Sequence, residues 1–92
     1  MKTGVELIAM ERQRQIDVEG WDEYHDDEHE KGELALAAAC YATIHTGRRD
    51  NPEHPLWPWA KSWWKPTPDD RVKELAKAGA LIAAEIDRLN RI

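Results

Sequence analysis

Residues 52–68, PEHPLWPWAKSWWKPTP, hold all five prolines of the chain and four of its five tryptophans: Trp57, Trp59, Trp63 and Trp64. No regular element tolerates that proline density, because each proline fixes φ and removes a backbone donor. The stretch therefore reads as a long, largely extended loop. Indole rings are too apolar to be left in water, so the loop must fold back and clamp them onto something. Two roles follow for each ring. It completes the core of a small protein without phenylalanine, or it belongs to an aromatic, mildly basic surface that stacks on a flat ligand. Lys61 and Lys65 lie between the aromatics and supply the charge for the second role.

The remaining composition narrows the field. The 92 residues form one domain, spanning 1–92. A chain this short buries a limited share of its surface, and a homo-oligomer is the expected supplement. The single Cys40 excludes an internal disulfide and fits a reducing cytoplasm. No signal peptide is visible, and the apolar run Leu34–Ile44 is too short to span a bilayer, so no membrane is expected. Net charge is −5, with nine acids against Lys31 in residues 17–33 and six bases against four acids in residues 48–73. That sign disfavours duplex nucleic acid as a partner. A small anionic ligand beside the basic tract remains open.

Taken in order, the first helix is predicted to start at Thr3, which has capping-box spacing to Glu6. Val5, Ile8, Ala9 and Ile16 mark its apolar side. Gly20 is the stop, with Trp21 packing back. A second helix is predicted over about 27–46, N-capped by Asp26 or Asp27, with Leu34, Ala37, Ala38, Tyr41 and Ile44 inward. Gly47 ends it. The third helix opens at Thr67-Pro68-Asp69-Asp70. Val72, Leu75, Gly79, Ile82, Ile86 and Leu89 then form a heptad-like seam. Gly79 marks a close approach, with an indole of the loop as the expected neighbour. The fold class is all-α: three helices with a long Trp/Pro-rich loop between the second and third.

His25 and His29 are four apart, a spacing that zinc sites use on one helix face. The segment straddles a helix start and Gly32 follows, so a capped acidic helix start with surface histidines is the expected role. No metal, cofactor or catalytic residue is assigned. Ser62 and the mid-helix Cys40 give little support for nucleophilic catalysis. The aromatic–basic surface offers more. Trp21, Trp57, Trp59, Trp63 and Trp64 are candidates for stacking, Lys61, Lys65 and Arg71 for charge, and His54 for a polar contact. Asp69 and Asp70 count against a phosphate at the third helix start, the place where one would otherwise bind.

Three resemblances bear on function. Glu30-x-x-Glu33 resembles the first acidic motif of all-α nucleotide pyrophosphohydrolases similar to MazG, which pair it with a later Glu-x-x-Asp to hold magnesium. Here the Glu-x-x-Asp matches, Glu19/Asp22 and Glu23/Asp26, come earlier, and no catalytic residue carries over. Most of the chain resembles a group of small phage and prophage proteins. The matching residues are Glu11–Gln15, Gly20-Trp21, His25-Asp26-Asp27 with His29, Gly32–Ala35, Trp57-Pro58-Trp59, Trp64-Lys65-Pro66 and Lys77–Ile82. Gly20-Trp21, His54-Pro55, Pro58-Trp59 and the helix from Asp69 are also similar, in order, to the ryanodine-receptor repeat domain. That likeness implies a nucleotide pocket built from Trp21 and the 54–64 loop.

The expected function is binding of a nucleotide in the host cytoplasm, as a phage counter-defence protein that sequesters a cyclic nucleotide immune signal. Two alternatives stand beside it. One is metal-dependent nucleotide hydrolysis, the other a protein–protein inhibitor acting through the acidic segment 17–33.

Overall fold

The structure, a computed structural model, describes residues 1–44 and 56–92. Four α-helices lie among the described residues: α1 (Gly4–Asp17), α2 (Glu23–Asp27), α3 (Glu33–Thr43) and α4 (Arg71–Asn90). A 3-10 turn over Lys61–Trp63 precedes α4, and no strand occurs among the described residues. The class is all-α, but the helix expected over 27–46 is divided. Gly32 adopts φ +79°, a left-handed conformation that breaks the helix and suits glycine. The helix on its near side is capped earlier than expected. Asp22, not Asp26 or Asp27, accepts the His25 backbone N–H at 3.0 Å. The end of that expected helix at Gly47 lies outside the described residues.

The two ends of α1 follow the sequence closely. Thr3 Oγ1 accepts from Glu6 N at 3.2 Å, and Thr3 N donates to Glu6 Oε1 at 2.9 Å. The hydrogen bond holds the Glu6 carboxyl below its ordinary range. At the other end Gly20 takes φ +74°, and Trp21 N donates back to Gln15 O at 3.0 Å. This closure brings the Trp21 indole back over the body of the protein.

Helix α4 is the hub on which α1, α2 and α3 all pack. Leu34, Ala37, Ala38 and Tyr41 of α3 meet Ala78, Leu81 and Ala84 of α4, and Trp21, Trp57, Trp59 and Trp64 cover this core. Helix α4 begins at Arg71 rather than beside Thr67, because Asp70 is the residue that caps it, accepting Lys73 N at 3.0 Å. Arg71 reaches back to donate to the carbonyls of Tyr41 and Ala42, satisfying the end of α3.

The side of α4 turned inward is not the heptad seam. Val72, Leu75, Ile82, Ile86 and Leu89 are between 46 and 59% exposed, while Glu74, Lys77 and Arg88 are buried. The small residues Ala78 and Ala84 let α3 approach, and the larger seam residues are left outside. Helix α1 shows the same reversal: Val5 points to solvent, while Glu11 and Gln15 are buried. The two helices meet at Gly79, whose neighbour is Ile8 of α1 rather than an indole. No helix among the described residues is long and apolar enough to cross a membrane.

Candidate functional site

The Trp21 turn, helix α2 and the chain around Trp59 border an open cavity of about 380 Å³. Its wall is mostly apolar and is made by Trp21, Trp59, Trp63, Ala60, His25 and His29, with Glu19 and Glu28 as its carboxylates. The rings form a continuous band. Trp21 stacks on His25 at 5.6 Å with 7° between planes, and lies 6.0 Å from Trp59. His29 lies 5.1 Å from Trp59 and 4.7 Å from His25.

Arg12 of α1 fixes this band from behind. Its Nη1 donates to Trp21 O at 3.1 Å and its Nη2 to Asp26 Oδ2 at 2.9 Å. Asp26 is only 1% exposed and also meets His25 Nδ1 at 3.0 Å. One guanidinium therefore positions both the indole and, through Asp26, the imidazole stacked on it.

A smaller depression of about 20 Å³ shares Glu19, Trp21 and Trp63 with the cavity. Arg14, Lys65 and Lys77 bring three cations to it, against Glu11 and Glu19. The charges form a ladder. Lys65 Nζ is 3.5 Å from Glu19, Arg14 Nη1 is 3.4 Å from Glu19, and Arg14 grips both oxygens of Glu11 at 2.7 and 2.8 Å. These hydrogen bonds donated to Glu11 are the main reason that the Arg14 guanidinium is pushed above its usual range. Gln15 adds its Nε2 to Glu11 at 3.3 Å, and its buried Oε1 has no partner among the described residues.

Lys77 sits beneath this ladder, donating to Lys65 O at 2.6 Å and lying 5.3 Å from the Tyr41 ring. Burial pulls its pKa below 10.5, and Glu11 opposes that shift. Tyr41 lies under the same elements, and burial pushes its phenol up to about 12.

The residues expected to bind a ligand separate into two groups. Trp21, Trp59, Trp63 and Lys65 line the cavity or the depression beside it. Trp57 and Trp64 instead pack on Tyr41, at 5.7 and 4.8 Å, and Trp57 Nε1 donates to Ala60 O at 3.0 Å. Arg71 is committed to the end of α3, and Lys61 is exposed without lining either space. His54 lies outside the described residues. Lining residues outside the expected binding set include Glu19, Glu28, His25, His29, Arg14 and Lys77. The Arg14 position carried a signal, since Glu11, Arg12, Arg14 and Gln15 make one side of α1 more polar than a solvated helix face needs.

Comparison with known protein families, with characterised proteins and with solved structures finds no match.

Proposed function

We propose that the protein binds a nucleotide, seating the base in the cavity formed by Trp21, Trp59 and Trp63. The observation that carries this reading is the gathering of three indoles and two imidazoles around one open space of about 380 Å³. Such a volume lies within the range of about 300–1,000 Å³ usual for small-molecule sites. Indole faces stack on any base, and Glu28 and Glu19 are acceptors suited to exocyclic amino groups. The depression with Arg14, Lys65 and Lys77 adjoins the cavity and supplies cations on the side where a phosphate would leave it. In this reading the protein acts by holding its ligand. A phage-encoded counter-defence protein sequestering a cyclic nucleotide signal in the host cytoplasm is the corresponding role.

The protein works as a homo-oligomer in the same proposal. The exposed line of Val72, Leu75, Ile82, Ile86 and Leu89 has the spacing of a helix–helix seam, and Val5 and Met10 of α1 are exposed as well. A chain that turns buried charge inward and leaves aliphatic residues outward has prepared that outer surface for another copy of itself.

Intrinsic tryptophan fluorescence against mononucleotides, cyclic dinucleotides and cyclic trinucleotides tests the reading, with each ligand recovered and analysed afterwards. Saturable quenching by one class, with the ligand intact, is the expected result. Turnover that stops with a chelator would replace binding with hydrolysis. A second reading, docking onto a basic protein surface, is favoured by the exposed acids Asp22, Glu23, Glu28 and Glu30. It becomes the better one if no nucleotide quenches.

A further inference from the structure

The two imidazoles on the cavity wall face each other through the same atom. His25 Nε2 and His29 Nε2 are 3.4 Å apart. Each ring is backed at its other nitrogen by a carboxylate: His25 Nδ1 lies 3.0 Å from Asp26 Oδ1, and His29 Nδ1 lies 3.4 Å from Glu33 Oε2. Carboxylates accept hydrogen bonds, so the network assigns the proton of each neutral ring to Nδ1. In that tautomer both Nε2 atoms present lone pairs within 3.4 Å of each other, an arrangement that a shared proton or a metal cation relieves.

The spacing is the one a tetrahedral ion requires. Zinc–nitrogen bonds of about 2.0–2.1 Å at a tetrahedral angle place two ligand nitrogens about 3.3–3.4 Å apart. Carboxylates on the remote nitrogens are the usual outer partners of metal-bound histidine, because they fix the tautomer and raise ring basicity.

We infer that His25 and His29 bind a zinc-class divalent ion through their Nε2 atoms, on the wall of the aromatic cavity. Among the described residues no group of three or more His, Cys, Asp or Glu side chains is placed to hold a metal ion together. The site is thus a two-histidine half-site, with its remaining coordination positions open to water or to a ligand in the cavity. Both rings are accessible, at 28 and 18% side-chain exposure. Imidazole pairs suit zinc, copper and nickel rather than magnesium or calcium, so the ion differs from the magnesium of nucleotide hydrolysis. The inference stands independently of what the cavity binds.

Zinc alone, with no nucleotide present, is the probe. Long-range proton–nitrogen NMR spectra of the full chain would be recorded during a zinc titration, and calorimetry would give the affinity. The expected result is saturable binding with large shifts at Nε2 of His25 and His29 and small ones at their Nδ1. His29→Gln should abolish this binding. Glu33→Gln, which keeps both imidazoles, should weaken it about 10- to 100-fold. Because the spectra are read on the unaltered chain, misfolding of a variant cannot decide the outcome. Zinc without effect on the two Nε2 resonances, or shifts at Nδ1 instead, would overturn the assignment. So would unchanged affinity in both variants.

Discussion

Ile8 occupies the space that a side chain at position 79 would need. A Cβ on Gly79 would lie 2.5 Å from Ile8 Cδ1 and 2.7 Å from Ile8 Cγ1. Gly79→Ala gains roughly 1 kcal/mol of helix propensity but overpacks the crossing of α1 and α4 at a cost of about 1–3 kcal/mol. The net expectation is a loss of about 1 kcal/mol. Ile8→Ala/Gly79→Ala should lose the clash, so the two changes are coupled. Urea melts of the single and double variants measure this, and a stabilised Gly79→Ala protein would refute the crossing.

Arg12 is the sole charged partner given to the buried Asp26 by another helix among the described residues. Arg12→Met leaves that carboxylate with His25 alone and frees the Trp21 carbonyl. A loss on the order of 2–3 kcal/mol is expected. Asp26→Asn in the same chain should recover part of it, because no buried charge then remains. Equal stability of single and double variants would show that the pair contributes little.

Trp63 and Trp64 are neighbours in sequence with different duties. Trp63 is 46% exposed and lines the cavity, whereas Trp64 packs 4.8 Å from both Tyr41 and Trp57. Trp63→Ala should weaken nucleotide binding by about 1–3 kcal/mol, the worth of one stacked base, and leave the melting temperature nearly unchanged. Trp64→Ala should cost about 3 kcal/mol of stability. A reversed pattern would move the site.

Alkaline pH reports on the core. Burial raises the Cys40 thiol from 9.0 to about 11, and the Tyr41 phenol from 10.0 to about 12. The unfolded chain releases these protons first, so this contribution is complete below pH 9 and is lost as pH rises through each folded value. Lys77, shifted down, works in the opposite sense below pH 10.5. Comparison with Cys40→Ala isolates the thiol. The stability difference between the two proteins should shift against the native chain by about 2 kcal/mol between pH 9 and 11. A constant difference would mean that the thiol does not lose a proton preferentially on unfolding.

Ile86 is half exposed on the seam of α4. Ile86→Glu should leave the helical spectrum and melting of the subunit intact while weakening self-association by about 3 kcal/mol, roughly 100-fold. Light scattering across a concentration series reads it. A native chain that stays monomeric at high concentration would remove the oligomer from the proposal.

Local chemistry in this sequence was legible, and so was the inward face of α3, where Leu34, Ala37, Ala38, Tyr41 and Ile44 are buried as expected; the inward sides of α1 and α4 were not. The Thr3 cap, the Gly20-Trp21 exit and the long α4 rest on residues close together in the chain, so their hydrogen bonds can be inferred from spacing. Periodicity shows which residues share a helix face, but not which face turns inward. The seam from Val72 to Leu89 therefore looked like core, and Glu11 and Gln15 looked like surface. The same limit explains the site. The His25–His29 spacing was visible, but the carboxylates behind the rings and the closeness of the two Nε2 atoms depend on how the chain turns between α2 and α3. Trp57 and Trp63 have similar sequence surroundings, and only the packing of Tyr41 separates their roles.

Cys40 is the only cysteine of the chain and is fully buried in α3. That gives the native protein an unengineered clock. An alkylating reagent can reach the sulfur only when the packing around α3 opens, so the rate at which the intact mass increases measures how often that happens. Added nucleotide, zinc or a second subunit would each slow that clock by the amount it stabilises the closed form, without any label or substitution.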